Sequence, residues 1–207
     1  MKIYDVEGFP NPLRVRVALA EKGALESVSF IAVDVLGGEH RSAAFLAKNP
    51  AGAVPVLELD DGTCIAECSA IIEYIDHQFD GPSLLGEEAR QRAIIHMLQR
   101  RAEFMVLDAV GDYFHHATAG LGPALEVDQH KQWGEKQKHT ALNGMSYFDR
   151  LLGQHEYVAG ETFSCADITL YAGLAFAEYS DIEIPVKHRH LLSWRERIAK
   201  RPSLNLA

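Results

Sequence analysis

Apolar positions in the first eighty residues change period several times, and each change marks an element. Lys2 to Val6 alternates as a strand, and Gly8-Phe9-Pro10-Asn11-Pro12 reads as a loop. Pro12 suits the first turn of the helix that follows, where its missing N–H costs nothing. That helix runs to about Lys22 and is closed by Gly23, with Val15, Ala18 and Leu19 on its buried face. Val28 to Val33 predicts a second strand. Beyond Gly37-Gly38 and Glu39-His40-Arg41, a short helix carries Phe45 and Leu46. Asn49-Pro50 and Gly52 supply turn chemistry, and Pro55 opens the alternating run Val56-Leu57-Glu58-Leu59. Asp60-Asp61-Gly62 reads as a hairpin turn and Thr63 to Ala66 as the returning strand. Behind Glu67, the apolar positions Ile71, Ile72 and Ile75 take helical spacing. A strand-helix-strand unit favours a parallel pair, and the hairpin adds an antiparallel edge.

The pattern then turns wholly helical. Asp80-Gly81-Pro82-Ser83 is the clearest break, which predicts a first domain over residues 1–80, a linker over 81–86 and an all-α domain over 87–207. Ile94, Leu98, Ala102, Met105 and Ala109 recur at three- or four-residue steps along a long helix that reaches about His116. Gly120, Gly122 and Pro123 end it, and a second long helix is expected from about Val127 to Leu152. In Phe163-Ser164-Cys165-Ala166-Asp167-Ile168, Ser164 and Asp167 approximate a capping box, and Phe163 and Ile168 stand at staple spacing. No internal repeat or low-complexity segment interrupts either half.

Composition narrows the function classes. The 207 residues are 47% apolar and 24% charged, ordinary values for a soluble globule. A formal charge of −9 argues against a nucleic-acid partner, which needs a basic surface. The start of the chain has no apolar h-region and no apolar run approaches ~18 residues, so neither a signal peptide nor a membrane span is expected. Cys64, Cys68 and Cys165 form an odd, sparse set with no CxxC, which suits thiols in a reducing compartment. Among ten histidines, His115-His116 and His188-Arg189-His190 lack the i, i+4 spacing of a helical zinc site, so no metal is expected.

One stretch carries candidate chemistry. A proline opening a strand leaves the backbone of Val54 outside the ladder. The helix start after Glu67 offers N–H groups and a positive dipole end to a carboxylate. Together they fit a short peptide-like anion, held strand-wise at Val54 and by its carboxylate near Cys68. An ordinary hairpin-helix unit packed in a core has the same pattern.

Val54-Pro55, followed by Glu67-Cys68-Ser69-Ala70-Ile71, resembles the glutathione-binding half of the cytosolic glutathione transferases. Their motif is Val, a cis-proline, a hairpin, and Glu-Ser-x-Ala-Ile opening a helix; Cys68 stands where the family has serine. The Ser164–Asp167 box and the ending Arg201-Pro202-Ser203 extend the likeness across the chain. The resemblance implies an α/β N-terminal thioredoxin-like domain plus an all-α C-terminal domain, and a cis peptide before Pro55. It implies that Glu67 meets the γ-glutamyl ammonium of glutathione and the N–H of Cys68 its carboxylate. His40, supported by Arg41, would face the glycyl carboxylate, and Val54 would pair its backbone with the cysteinyl unit. A cytoplasmic homodimer is implied as well, with glutathione as co-substrate, a small electrophilic partner substrate, and no other cofactor.

Conjugation needs a thiolate, and a free thiol with pKa about 8.5 is mostly protonated at neutral pH. Most family members place Tyr, Ser or Cys after the first strand, whereas Gly8-Phe9-Pro10-Asn11 offers neither hydroxyl nor thiol. Tyr4 lies within the first strand and reads as core. Asn11, through its amide, and the first-helix N–H groups are one alternative source of stabilisation. Tyr113-Phe114-His115-His116-Ala117-Thr118, with Gly120-Leu121-Gly122-Pro123, resembles an atypical, fungal-type branch that lacks the usual residue. The mechanism implied there uses a water, held by a helical histidine and a hydroxyl, as the base. His115 matches the histidine, a side chain suited to proton transfer near neutral pH. One turn earlier, where the hydroxyl belongs, this chain has Gly111. The expected activity is glutathione conjugation; a non-catalytic glutathione- or protein-binding module and a glutathione-dependent reductase are the rival readings.

Overall fold

Ile3, in strand β1 (Lys2–Asp5), has no exposed surface, and the first half of the chain is assembled around it. The computed structural model describes residues 1–205. The chain divides into two compact units, Met1–Pro82 and the part from Ser83 onwards. In the first unit β2 (Ser29–Ala32) pairs parallel with β1, β3 (Val56–Glu58) pairs antiparallel on its other side, and β4 (Cys64–Ala66) lies antiparallel outside β3. The register sets Phe30, Ile3, Leu57 and Ile65 in one row across the sheet. Helix α1 (Pro10–Glu21) begins at Pro10, two residues ahead of Pro12, and buries Val15, Ala18 and Leu19. Helix α2 (Ala43–Leu46) is a single turn capped by the Ser42 hydroxyl, which accepts from the Phe45 N–H at 3.2 Å. Helix α3 (Cys68–Gln78) buries Ile71, Ile72 and Ile75 and packs on α1. An ion pair joins the two helices: Lys22 Nζ lies 3.0 Å from Asp76 Oδ1, with side chains 3% and 5% exposed. Breaking a pair this dry costs about 3–5 kcal/mol.

The second unit is helical. Helix α4 (Ala89–Ala102) runs through a π-helical turn, Glu103–Leu107, into α5 (Asp108–Ala117), so the single long helix expected to His116 contains one widened turn. Two glycines admit that turn. A methyl group on Gly144, in α6 (Lys131–Leu152), would collide with the Met105 carbonyl. One on Gly173, in α7 (Cys165–Tyr179), would stand 3.1 Å from the Leu107 nitrogen. Helix α6 starts at Lys131 and not near Val127, because the residues between are committed elsewhere. The Gln129 amide donates to the carbonyls of His115 and Thr118 at 2.7 and 2.8 Å, which closes the end of α5. Such side-chain bonds compete with helix formation. Leu84, within the stretch read as linker, is fully buried, and its carbonyl accepts from the Cys165 N–H at 2.9 Å.

The capping box on α7 is present, and it is also the hub of this unit. Asp167 has no exposed surface and accepts from the N–H of Val158 (2.9 Å), the N–H and hydroxyl of Ser164 (3.0 and 3.1 Å) and the indole of Trp194 (3.1 Å). Trp194 belongs to α8 (Arg189–Ile198), so one carboxyl ties a loop, a helix start and a second helix together. Burial pushes this carboxyl up to about 6, against the pull of its donors. An acid whose pKa is higher folded than unfolded contributes stability that is fully present below its unfolded value and lost as pH rises through the folded one. Denaturation curves should therefore show the protein losing stability relative to Asp167→Asn between about pH 4 and 6, with no further divergence above pH 7. Parallel curves over the whole range would mean that Asp167 titrates alike folded and unfolded.

Candidate functional site

Asn49 shapes the loop that leads into β3. Its side chain is buried, donating to the Ala53 carbonyl at 2.7 Å and accepting from the Ala51 N–H at 3.1 Å. The Val54–Pro55 peptide at the end of this loop is cis, and pairing of β3 begins at Val56, so Val54 lies outside the ladder. Gly52, at φ +58°, sits where a Cβ would stand 3.2 Å from the His40 carbonyl. The loop therefore lies against the 3-10 turn Glu39–Arg41. His40 is buried with no hydrogen-bond partner on Nδ1, while Arg41 beside it is exposed. Burial, and secondarily the Arg41 charge, holds the His40 imidazole below its usual range, which favours a neutral ring at neutral pH.

Glu67 precedes α3 with φ +69°, a left-handed conformation that costs a non-glycine residue on the order of 1–3 kcal/mol. Its side chain makes no capping bond and is exposed, at the positive end of the helix dipole. The next residue, Cys68, is buried, and its thiol donates to the Asn11 carbonyl at 3.4 Å. That contact ties the start of α3 to the start of α1. The Asn11 side-chain oxygen accepts from Arg14 Nη1 at 3.0 Å, so the NH2 end is the donating face of this exposed residue. Tyr4 is occupied elsewhere: its hydroxyl donates to Glu58 at 2.9 Å and its ring lies under Lys48 Nζ.

The first unit thus carries Asn11, His40, Arg41, Val54, Glu67 and Cys68. Asn11 touches Cys68, and the loop holding Val54 abuts the His40 turn. His115 belongs to the second unit, in the last turn of α5. Its Nδ1 lies 2.7 Å from Glu126 Oε1, and the same oxygen accepts the Leu121 N–H at 2.8 Å. The His115 side chain is 44% exposed and that of Glu126 only 11%. At Gly111, one turn earlier, the nearest neighbour to an added Cβ is the Phe176 ring at 3.6 Å. Sequence reasoning missed Glu126, which lies beyond two glycines and a proline with no periodic relation to His115. The only signal available was an acid between a glycine-rich turn and a helix. Among the described residues, no group of three or more His, Cys, Asp or Glu side chains is arranged to hold a metal ion.

Known proteins match this arrangement along its length. The family model of the glutathione S-transferase N-terminal domain matches residues 10–78, and that of the C-terminal domain matches residues 103–202. Glutathione S-transferase 2 of Saccharomyces cerevisiae is 52% identical over 204 residues, 99% of this chain and 88% of that protein. Among solved structures, a glutathione S-transferase domain-containing protein of Marinobacter aquaeolei VT8 is 60% identical with a TM-score of 0.97, covering 99% of this chain and all of that one. Gtt2 of Saccharomyces cerevisiae is 51% identical, also with a TM-score of 0.97, over 99% of this chain and 98% of its own. With both halves matched and coverage nearly complete in each direction, the chain belongs to the glutathione S-transferase family.

Proposed function

We propose that this transferase joins the thiolate of glutathione to small, electrophilic, mostly apolar substrates. Glu67 takes the γ-glutamyl ammonium, the N–H of Cys68 the adjoining carboxylate, and the backbone of Val54 the cysteinyl unit. His40 and Arg41 face the glycyl carboxylate. His115 acts as general base on the thiol through a water, with Asn11 as the competing source of thiolate stabilisation. The observation that carries the reading is Glu67: an exposed carboxylate at a helix start, on a strained backbone angle, that caps nothing. A charged ligand group accounts for that geometry, and an ordinary helix cap does not.

The same residues weigh against the rivals. Disulfide reduction by the family's usual route needs a cysteine between Gly8 and Asn11, and that loop has none. A purely binding module is separated by turnover of an electrophilic aryl halide. Glutathione serves as co-substrate, and no further cofactor is proposed. We assign the protein to the cytoplasm because its three cysteines form no disulfide. No helix among the described residues is long and apolar enough to cross a membrane. The acting form is proposed to be a homodimer, supported by two large apolar side chains, Met97 and Phe104, left 44% and 55% exposed.

Three measurements test these assignments. Calorimetry should find glutathione bound about tenfold more weakly by Glu67→Ala than by Glu88→Ala, the range of a partly wet charged pair. Equal affinities would remove Glu67 from the site. In steady-state assays His115→Ala should lower kcat by about 10²–10⁴, the usual share of a general base, with little change in glutathione affinity. Asn11→Ala should stay close to the parent, and the opposite ranking would move thiol activation to α1. Light scattering should give twice the chain mass for the parent protein and less for Phe104→Glu; a monomeric parent would end the dimer proposal.

A further inference from the structure

The contact between His115 and Glu126 fixes more than position. An ionised carboxylate only accepts hydrogen bonds, so an imidazole nitrogen 2.7 Å from Glu126 Oε1 must carry a proton. In the neutral ring the lone pair is then on Nε2, and the choice of tautomer is made by what Nδ1 touches. We propose that Glu126 is the positioning residue of this transferase: it holds His115 as the Nδ1–H tautomer and leaves Nε2 as the basic atom. The proposal rests on reading His115 as the general base.

The surroundings are built for this contact. Oε1 of Glu126 also accepts the Leu121 N–H at 2.8 Å, so the carboxylate is anchored to the backbone and not only to the ring it orients. Its side chain is 11% exposed, which limits competition from water. Gly120 gives it room: at φ +53° a Cβ there would run into the Glu126 side chain. The main chain of His115 is held from the same segment, because Gln129 donates to its carbonyl at 2.7 Å. One stretch after α5 therefore fixes both the backbone and the ring of His115. The Gly-rich turn, which the sequence presents only as a helix break, is what brings the carboxylate back onto the helix end. In the proposed step the thiol proton passes to the water while the water gives a proton to His115 Nε2. The thiolate sulfur and an imidazolium result, and the Glu126 carboxylate faces that new positive charge.

The test reads the tautomer and the turnover separately. In 15N-labelled protein at alkaline pH, where the imidazole is neutral, the His115 ring signals are those missing from His115→Ala. The parent should show Nδ1 protonated and Nε2 bare. Glu126→Met, which keeps the length but has no acceptor oxygen, should release the ring to the tautomer mixture of an unheld histidine. Glu126→Gln retains an acceptor oxygen and should keep the parent tautomer. Turnover should follow: kcat lower by about 10–100-fold in Glu126→Met, the scale of a lost orienting partner, and largely rescued in Glu126→Gln, with KM for glutathione little changed. A parent ring protonated on Nε2 overturns the proposal whether or not either variant folds. So does an unchanged tautomer in a folded Glu126→Met. If the tautomer shifts as expected but His115→Ala turns over normally, the base reading has failed and the positioning role falls with it.

Discussion

Asp167 gathers four donors from a loop, a helix start and a tryptophan on α8, all without exposed surface of its own. The helical unit depends on that convergence. Removing the carboxyl would strand the Val158 and Ser164 N–H groups and the Trp194 indole in a dry interior, each at about 1–3 kcal/mol. It would also take away the cap of α7, a helix buried along nearly its whole length. The α/β unit has a counterpart in the Lys22–Asp76 pair, which ties the end of α1 to α3. In both units a buried charged group is tolerated because fixed partners meet it, four donors at Asp167 and Lys22 at Asp76.

Much of this was legible in the sequence because it rests on local rules. The succession of strands and helices in the first unit, the hairpin at Asp60-Asp61-Gly62, the face Ile71-Ile72-Ile75 and the Ser164–Asp167 box all follow from periodicity and turn chemistry. The readings that needed correction depend on contacts between distant segments. A π-turn at Glu103–Leu107 leaves no mark in three- and four-residue spacing; it exists because Gly144 and Gly173 let other helices come close. The late start of α6 likewise reflects Gln129 and Glu126 reaching back to α5. The Asp167 box was readable as a cap, but its bond to Trp194, twenty-seven residues on, was not.

The candidate site divides in the same way. Val54-Pro55 and Glu67-Cys68 could be found because their spacing is a short, local motif. Cys68, where the family motif has serine, donates to the Asn11 carbonyl through a long, weak S–H bond that ties the start of α3 to the start of α1. His115 could be matched only through a resemblance, and the expected hydroxyl partner is missing at Gly111. The polar partner that His115 does have is Glu126, supplied by the turn that ends its own helix. The Glu126 side chain is largely covered while the imidazole it meets is half-exposed, so the contact leaves the ring's other nitrogen without a fixed carboxylate.

Thiolate formation is proposed to depend on His115 and not on the first helix. The most direct measurement is the pH at which the sulfur of bound glutathione ionises, read from the ultraviolet absorbance of the thiolate in the parent protein and in His115→Ala. The expected result is ionisation below the pH at which free glutathione ionises in the parent, and loss of that shift in His115→Ala while glutathione stays bound. A bound sulfur that ionises at the same lowered pH in both proteins would contradict it and return thiol activation to the start of α1.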